Sequence, residues 1–416
     1  MTWLGSRTHA EWLTAETDAL LAFARSSRVP NGFGYLDADG AVDPGQPAEL
    51  WVTARMTHSF ALGTMLGRPG YGPLADHGVA ALRGAFADGE HGGWFSAVAL
   101  EGDGVPDDTK AAYAHGFVIL AGASAAAAGR PGGRALLDEA LAVSERFFWR
   151  DDEGMAVESW DRAFGVCEDY RGVNANMHTV EAYLAAADVT GDDVWLDRAV
   201  RITRRVLDDF ARANDWRIPE HFSADWEPLL DYNRDEPAHP FRPYGATVGH
   251  SLEWARLVLH AREALRRRGL DAETWMLEAA RELFDRAVAD GWAVDGADGF
   301  VYTVDFAGEP VVRERMHWVV CEGIGAAAAL EAVTGEVRYE ERYRQWWDYA
   351  AEHLIEAPGR WRHELSAENG PSAGTWSGKP DIYHALQATL IPRLPLAPAL
   401  APAVAAGLVD NRHPMP

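Results

Sequence analysis

The stretch NANMHTVEAYLAAA, residues 174–187, has the periodicity of a helix but carries polar residues where a core helix should be apolar. Asn174, His178 and Glu181 stand at i, i+4 and i+7, so they share one helix face. The arrangement returns along the chain. His250 and Glu253 lie three residues apart beside Trp254. Trp51, Arg55 and His58 repeat it, and Trp318 and Glu322 lie four apart just after His317. In SGKPDIYHALQA, Pro380 reads as the first residue of a helix, which puts Asp381 and His384 in its opening turns. Taking one polar marker per recurrence gives Arg55, Tyr113, His178, His250, His317 and His384. The gaps are 58, 65, 72, 67 and 67 residues, and one sixth of the 416-residue chain is about 69. A near-constant period in a helical chain is the mark of a repeat architecture.

Apolar residues at helical spacing, punctuated by Gly, Pro and Asp, predict twelve helices. They cover 10–25, 50–66, 74–87, 109–128, 133–148, 174–187, 192–211, 247–267, 272–289, 315–334, 337–355 and 380–390. Few segments read as strands. The expected fold is all-α: six helical hairpins closed into an (α/α)6 barrel. An open solenoid has the same local pattern, but it does not call for a polar residue on one helix of every pair. A closed ring does, because six inner helices can share one cavity. Residues 214–245 hold five Pro and many aromatics. They are expected to form an ordered loop or short hairpin over the cavity mouth. The tail from Pro392 is Pro/Ala-rich and reads as a loosely packed end. No linker divides residues 1–416, so one domain is expected.

Composition excludes several functions. Hydrophobic residues make up 48% and charged residues 24%, which suits a folded globular chain. Lys and Arg number 38 against 63 Asp and Glu, a formal charge of −25. Such a chain repels phosphate backbones and anionic membranes, so neither nucleic acid nor membrane is an expected partner. Two cysteines, Cys167 and Cys321, cannot build a disulfide framework or a thiolate zinc site. With no membrane-length apolar run and no signal-peptide layout in MTWLGSRTHAEWL, the expected location is cytoplasmic. A homo-oligomer is left open.

The His/Glu clusters admit three chemistries. A metal could sit between His178/Glu181 and His250/Glu253, but the di-iron helical sites use the reverse order and extra bridging carboxylates. Glycoside hydrolysis needs two carboxylates, for which Glu253 and Glu322 could serve. The constellation is richer in His than in acids, however, and His suits near-neutral proton transfer at carbon. Two His on opposite walls could move protons at a carbon next to a carbonyl, with Arg55 stabilising the enediolate oxygen. The 17 Trp fit a sugar site, although most must be structural. A non-catalytic sugar-binding protein would look similar. His9, His260, His353 and His363 read as ordinary.

The segments WVTARMTHSFALG (51–63), NANMHTVEAYL (174–184), HPFRPYGATVGHSLEWARLVL (239–259), MHWVVCEGIGAA (316–327) and WSGKPDIYHALQA (376–388) carry a resemblance across nearly the whole chain. The chain resembles the N-acylglucosamine 2-epimerase superfamily, within it the D-mannose isomerase and sulfoquinovose isomerase branch. GHSLEWARL and GKPDIYHALQ are the specific segments. The resemblance implies an (α/α)6 barrel and metal-independent, cofactor-free interconversion of aldoses and ketoses, or epimerisation at C2, through a cis-enediolate. The implied substrate is a monosaccharide, D-mannose first. His384 and His250 match the family's acid/base histidines and Glu253 the glutamate that accompanies His250. His178 matches an active-site histidine and Arg55 the arginine near the substrate oxygen. Tyr113, Asn174 and Arg242 look like substrate contacts, and Trp318, Glu322 and Trp376 complete the expected binding set.

Overall fold

A computed structural model describes residues 2–372 and 374–412. Its helices are α1 (Arg7–Ala24), α2 (Leu50–Met65), α3 (Gly72–Arg83), α4 (Ala112–Ala127), α5 (Gly133–Val143), α6 (Val173–Thr190), α7 (Asp193–Arg204), α8 (Val248–Arg267), α9 (Thr274–Gly291), α10 (His317–Thr334), α11 (Val337–Tyr349), α12 (Tyr383–Leu390) and α13 (Leu400–Ala405). The even-numbered helices from α2 to α12 neighbour one another in sequence, and α12 returns to α2, so the inner ring closes. Each of α3, α5, α7, α9 and α11 packs outside the inner helix before it, and α1 covers α12.

Side-chain chemistry sorts the two rings. Helix α4 (AYAHGFVILAGASAAA) is buried almost throughout, as an inner helix must be. Helix α11 (VRYEERYRQWWDY) buries Tyr339, Tyr343, Trp346 and Trp347 on one face and, Glu340 apart, turns its charges away from the core. Small residues let the rings approach: a Cβ on Gly122 of α4 would lie 2.8 Å from the Leu137 backbone of α5.

Five inner helices start directly after a short strand, a feature that the sequence did not reveal. Ala48–Glu49 leads into α2, Lys110–Ala111 into α4, Tyr170–Gly172 into α6, Ala246–Thr247 into α8 and Arg315–Met316 into α10. Each pairs antiparallel with a strand in a later connection; Arg315 faces Leu365 and Met316 faces Glu364, for example. Strands of two or three residues have no room for alternation, so periodicity cannot find them. Helix α10 therefore begins at His317, not at residue 315. Helix α12 begins at Tyr383, not at Pro380, because Asp381 Oδ1 accepts the Tyr383 N–H at 2.7 Å and stops the helix there.

The expectation for residues 214–245 holds in outline. His221–Ser223 pairs with Tyr170–Gly172, and the His221 ring ties Tyr170 Oη (2.7 Å) to the Pro243 carbonyl (2.7 Å). The loop then sets Phe241 against Trp51, Tyr113 and Trp376. The tail is a correction. Its Pro/Ala composition suits close packing: α13 buries Ala401, Ala403 and Val404 against α2, α4 and α6. Residues 413–416 lie outside the described residues. Among the described residues no helix is long and apolar enough to cross a membrane.

The core makes the fold acid-sensitive. Burial pushes the rings of His115, His178 and His317 down to about 3, and those of His58 and His260 down to about 4. Below the unfolded value of about 6.5, the unfolded chain binds protons that these neutral rings do not. Stability is thus lost as pH falls from about 6.5 towards about 4, by up to about 1.4 kcal/mol per pH unit for each histidine. Glu49 and Glu158, pushed up to about 7 by burial, act in the opposite sense. Urea midpoints at pH 7, 6 and 5 should fall steeply; equal midpoints would contradict neutral buried histidines.

Candidate active site

All six markers line one cavity, of about 680 Å³ including its open mouth. They converge because each sits in the first two turns of an inner helix. Asn174, Glu253, Trp318 and Trp376 share the wall, as do His363 and Asp381. His363 read as ordinary in the sequence, and this placement corrects that reading.

Two histidine–glutamate pairs stand out. His250 Nδ1 lies 3.0 Å from both carboxylate oxygens of the buried Glu220. His384 Nδ1 lies 2.8 Å from Glu322 Oε1. In each case the carboxylate engages Nδ1 and leaves Nε2 free to take or give a proton. Trp318 lies between the two histidines, its ring centroid 5.3 Å from that of His250 and 5.6 Å from that of His384. Gly249 makes room for it: a Cβ there would meet the Trp318 ring at 2.3 Å. Burial lowers the His384 pKa, and the Glu322 hydrogen bond opposes this. Burial works against ionisation of Glu322 too, but Arg256 and His384 hold it below the usual carboxylate range. Arg256 donates to Glu322 Oε2 from Nε at 3.0 Å and from Nη2 at 2.9 Å.

Glu253 differs from its expected role. The partner of His250 is Glu220, and the Glu253 oxygens are buried without a hydrogen-bond partner. Oε1 lies 3.6 Å from Arg256 Nη2 and 3.9 Å from His178 Nδ1. Burial first, and then the charge of Glu322, raise its pKa well above the usual range. Glu220 escaped notice because it lies in the irregular segment RIPEHF, thirty residues before its partner.

Arg55 is held on several sides. Its Nη1 donates to Asp381 Oδ2 (3.1 Å) and its Nη2 to Tyr113 Oη (3.0 Å). Its guanidinium lies 4.2 Å from the Phe117 ring centroid and 4.6 Å from that of Tyr383. Burial disfavours its charge, but Tyr113 and Asp381 more than restore it. Asn174 Oδ1 has no protein partner.

Two expected substrate contacts are not on the cavity wall. Glu322 stands behind His384. Arg242 forms a two-pronged pair with Glu168 (2.7 and 2.9 Å) and stacks over Tyr170 at 3.9 Å, which uses its guanidinium to anchor the loop. Trp376 is positioned by Glu364, whose carboxylate accepts the backbone N–H groups of Gly374 (2.6 Å), Thr375 (2.9 Å) and Trp376 (2.7 Å).

Ligand-type atoms of His178, Glu181 and Glu253, and of Glu253, Glu322 and His384, fall within 4.8 Å of one another. Among the described residues these are the groupings that could hold a cation. Arg256 already supplies positive charge to both Glu253 and Glu322, so the donor set fits a dication poorly.

The sequence pattern of the N-acylglucosamine 2-epimerase (GlcNAc 2-epimerase) family matches residues 32–388. The chain belongs to the N-acylglucosamine 2-epimerase family. It is a sugar isomerase or epimerase by that membership. Among its relatives in the family, a D-mannose isomerase from Thermobifida fusca is 53% identical over 406 residues, covering 97% of this chain and 98% of the relative. A D-mannose isomerase from Pseudomonas cannabina pv. alisalensis is 52% identical over 404 residues, 97% of each chain. A crystal structure of D-mannose isomerase superposes with a TM-score of 0.84 at 28% identity, covering 92% of this chain and 97% of that one. This N-acylglucosamine 2-epimerase family fold is the closed ring described above.

Proposed function

We propose that the protein interconverts D-mannose and D-fructose through a cis-enediolate, with His250 and His384 as proton-transfer groups. The observation that carries this reading is the pair of histidine–glutamate dyads with free Nε2 atoms on either side of Trp318. A histidine takes the proton from C2. The electron pair of the broken C–H bond forms the C1–C2 double bond, and O1 gains negative charge or a proton. O2 then loses its proton, the C2 carbonyl forms, and C1 receives a proton. Arg55 brings positive charge to the oxygen that becomes anionic. The names and near-full-length similarity of the relatives support mannose as the substrate.

Two dyads also suit return of the proton to C2 from the opposite face, which would make glucose from mannose. A sulfonated sugar is less well served. Arg55 is the one Arg or Lys on the cavity wall among the described residues, and it is already paired with Asp381.

Incubation with D-mannose in deuterated water after exhaustive chelation should give fructose, with glucose as the measure of epimerisation. Loss of activity on chelation, restored by a divalent ion, would replace this reading with a metal mechanism. Binding of sugars without turnover would point to a binding protein.

A further inference from the structure

The cavity wall carries a second pair of histidines that the proposed proton transfers do not use. His317 opens α10, just after the strand Arg315–Met316; His363 just precedes the strand Glu364–Leu365. Because Met316 faces Glu364 in that ladder, His317 and His363 stand opposite each other one step beyond it. The His317 backbone N–H donates to the His363 carbonyl at 3.0 Å, and His317 Nδ1 lies 3.3 Å from the same oxygen. Their rings stack with centroids 3.8 Å apart and planes 29° apart.

Both rings face the cavity. With His317 Nδ1 donating to a carbonyl, its Nε2 is an acceptor. The ring of His363 has no hydrogen bond to protein among the described residues. Burial first, then His384 and Arg55, push the His317 ring towards neutrality, and burial first, then His317, Lys379, His384 and Arg55, do the same for His363. The wall therefore presents an acceptor from one ring and a donor and an acceptor from the other. Polar groups in a largely buried wall are normally matched by a partner, and here the partner must come from the cavity.

We propose that His317 and His363 form a hydroxyl-recognition subsite that binds two neighbouring hydroxyls of a neutral sugar, on carbons other than those that exchange protons. The inference rests on the sugar-isomerase reading above. The His317 ring lies 6.5 Å from that of His384, centroid to centroid, so the subsite adjoins the reacting end of the cavity.

The test compares wild type, His363→Phe and His363→Asn on D-mannose and its 3-, 4- and 6-deoxy analogues. Phe keeps a stacking ring and removes the nitrogens. His363→Phe should lose roughly tenfold in kcat/KM on mannose, mainly through KM, since a neutral hydrogen bond has about that worth. The shape of the pH profile should stay the same, because the pair is neutral. One deoxy analogue should be poorer for wild type by a similar factor and lose nothing further in the variant. If every analogue loses the same factor in wild type and variant, or if His363→Phe matches wild type on mannose, the subsite is wrong. His363→Asn, which keeps a donor and an acceptor, should recover part of the loss. It carries the same comparison if the Phe variant does not fold. Calorimetric binding of the same sugars is measured in parallel. If wild type binds mannose without converting it, the isomerase reading fails, while the binding comparison still decides the subsite.

Discussion

Alanine at His384 or at His250 is expected to remove most of the turnover of D-mannose, on the order of 10²–10⁴-fold in kcat, with the fold retained. Each ring supplies the cavity with a free Nε2 backed by a carboxylate at Nδ1. The carboxylates behind the rings should matter less. Glu220→Gln keeps the shape and can still accept from His250 Nδ1, but it removes the charge that favours the imidazolium formed during transfer. Glu322→Gln acts similarly on His384 and also disturbs Arg256. His353→Ala, away from the cavity wall, is the control. Steady-state kinetics on mannose, with circular dichroism to verify folding, checks the set. Near-native kcat in both His384→Ala and His250→Ala would dismiss the proton-transfer scheme. Activity lost in only one of them would assign the C2–C1 shuttle to that residue.

Arg256→Met should cost stability rather than chemistry alone. The guanidinium is fully buried and is the cation facing Glu322 at 2.9 Å and Glu253 at 3.6 Å. Removing one member of a buried ion pair leaves the other uncompensated, at about 3–5 kcal/mol. The pH dependence of the deficit has a definite sign. Without Arg256 the folded-state pKa of the Glu322 carboxyl rises, so the folded variant binds protons more readily than the unfolded chain. Its deficit should shrink as pH falls from about 7 towards 5. Urea unfolding of both proteins at the two pH values measures this. A deficit under about 1 kcal/mol at neutral pH would mean that water or another cation has replaced the guanidinium.

Legibility followed the length scale of the signal. The ring of Arg55, Tyr113, His178, His250, His317 and His384 was readable because the markers recur at intervals of 58–72 residues, each early in its helix. Helix 174–187 was readable because helical spacing persists over several turns. The two-residue ladders were not, since they are held by tertiary pairing and leave no local pattern. The alliance of His250 with Glu220 was equally hidden. Glu253 is nearer in sequence and on the same helical face, but its oxygens turn towards Arg256 and His178. Arg242 looked available as a cation until the loop folded and gave it Glu168. His363 carried no signal because its position depends on the pairing of the next residue, Glu364, with Met316, 48 residues before it. The tail misled because its composition suits solvent as well as it suits the underside of a helical ring.

The inner helices all present their opening turns to the cavity, and this has an electrostatic consequence. Each helix start carries a partial positive charge, equivalent to about half an elementary charge, from peptide dipoles aligned along its axis. Six such ends converge on a space of about 680 Å³ inside a chain whose formal charge is −25. The backbone thus offsets, at this one place, the negative potential of the rest of the molecule. An enediolate formed there meets a field that was in place before the sugar arrived and needs no reorientation when the charge appears. Substitutions on the wall can change which sugar is held without removing that field, because it belongs to the main chain.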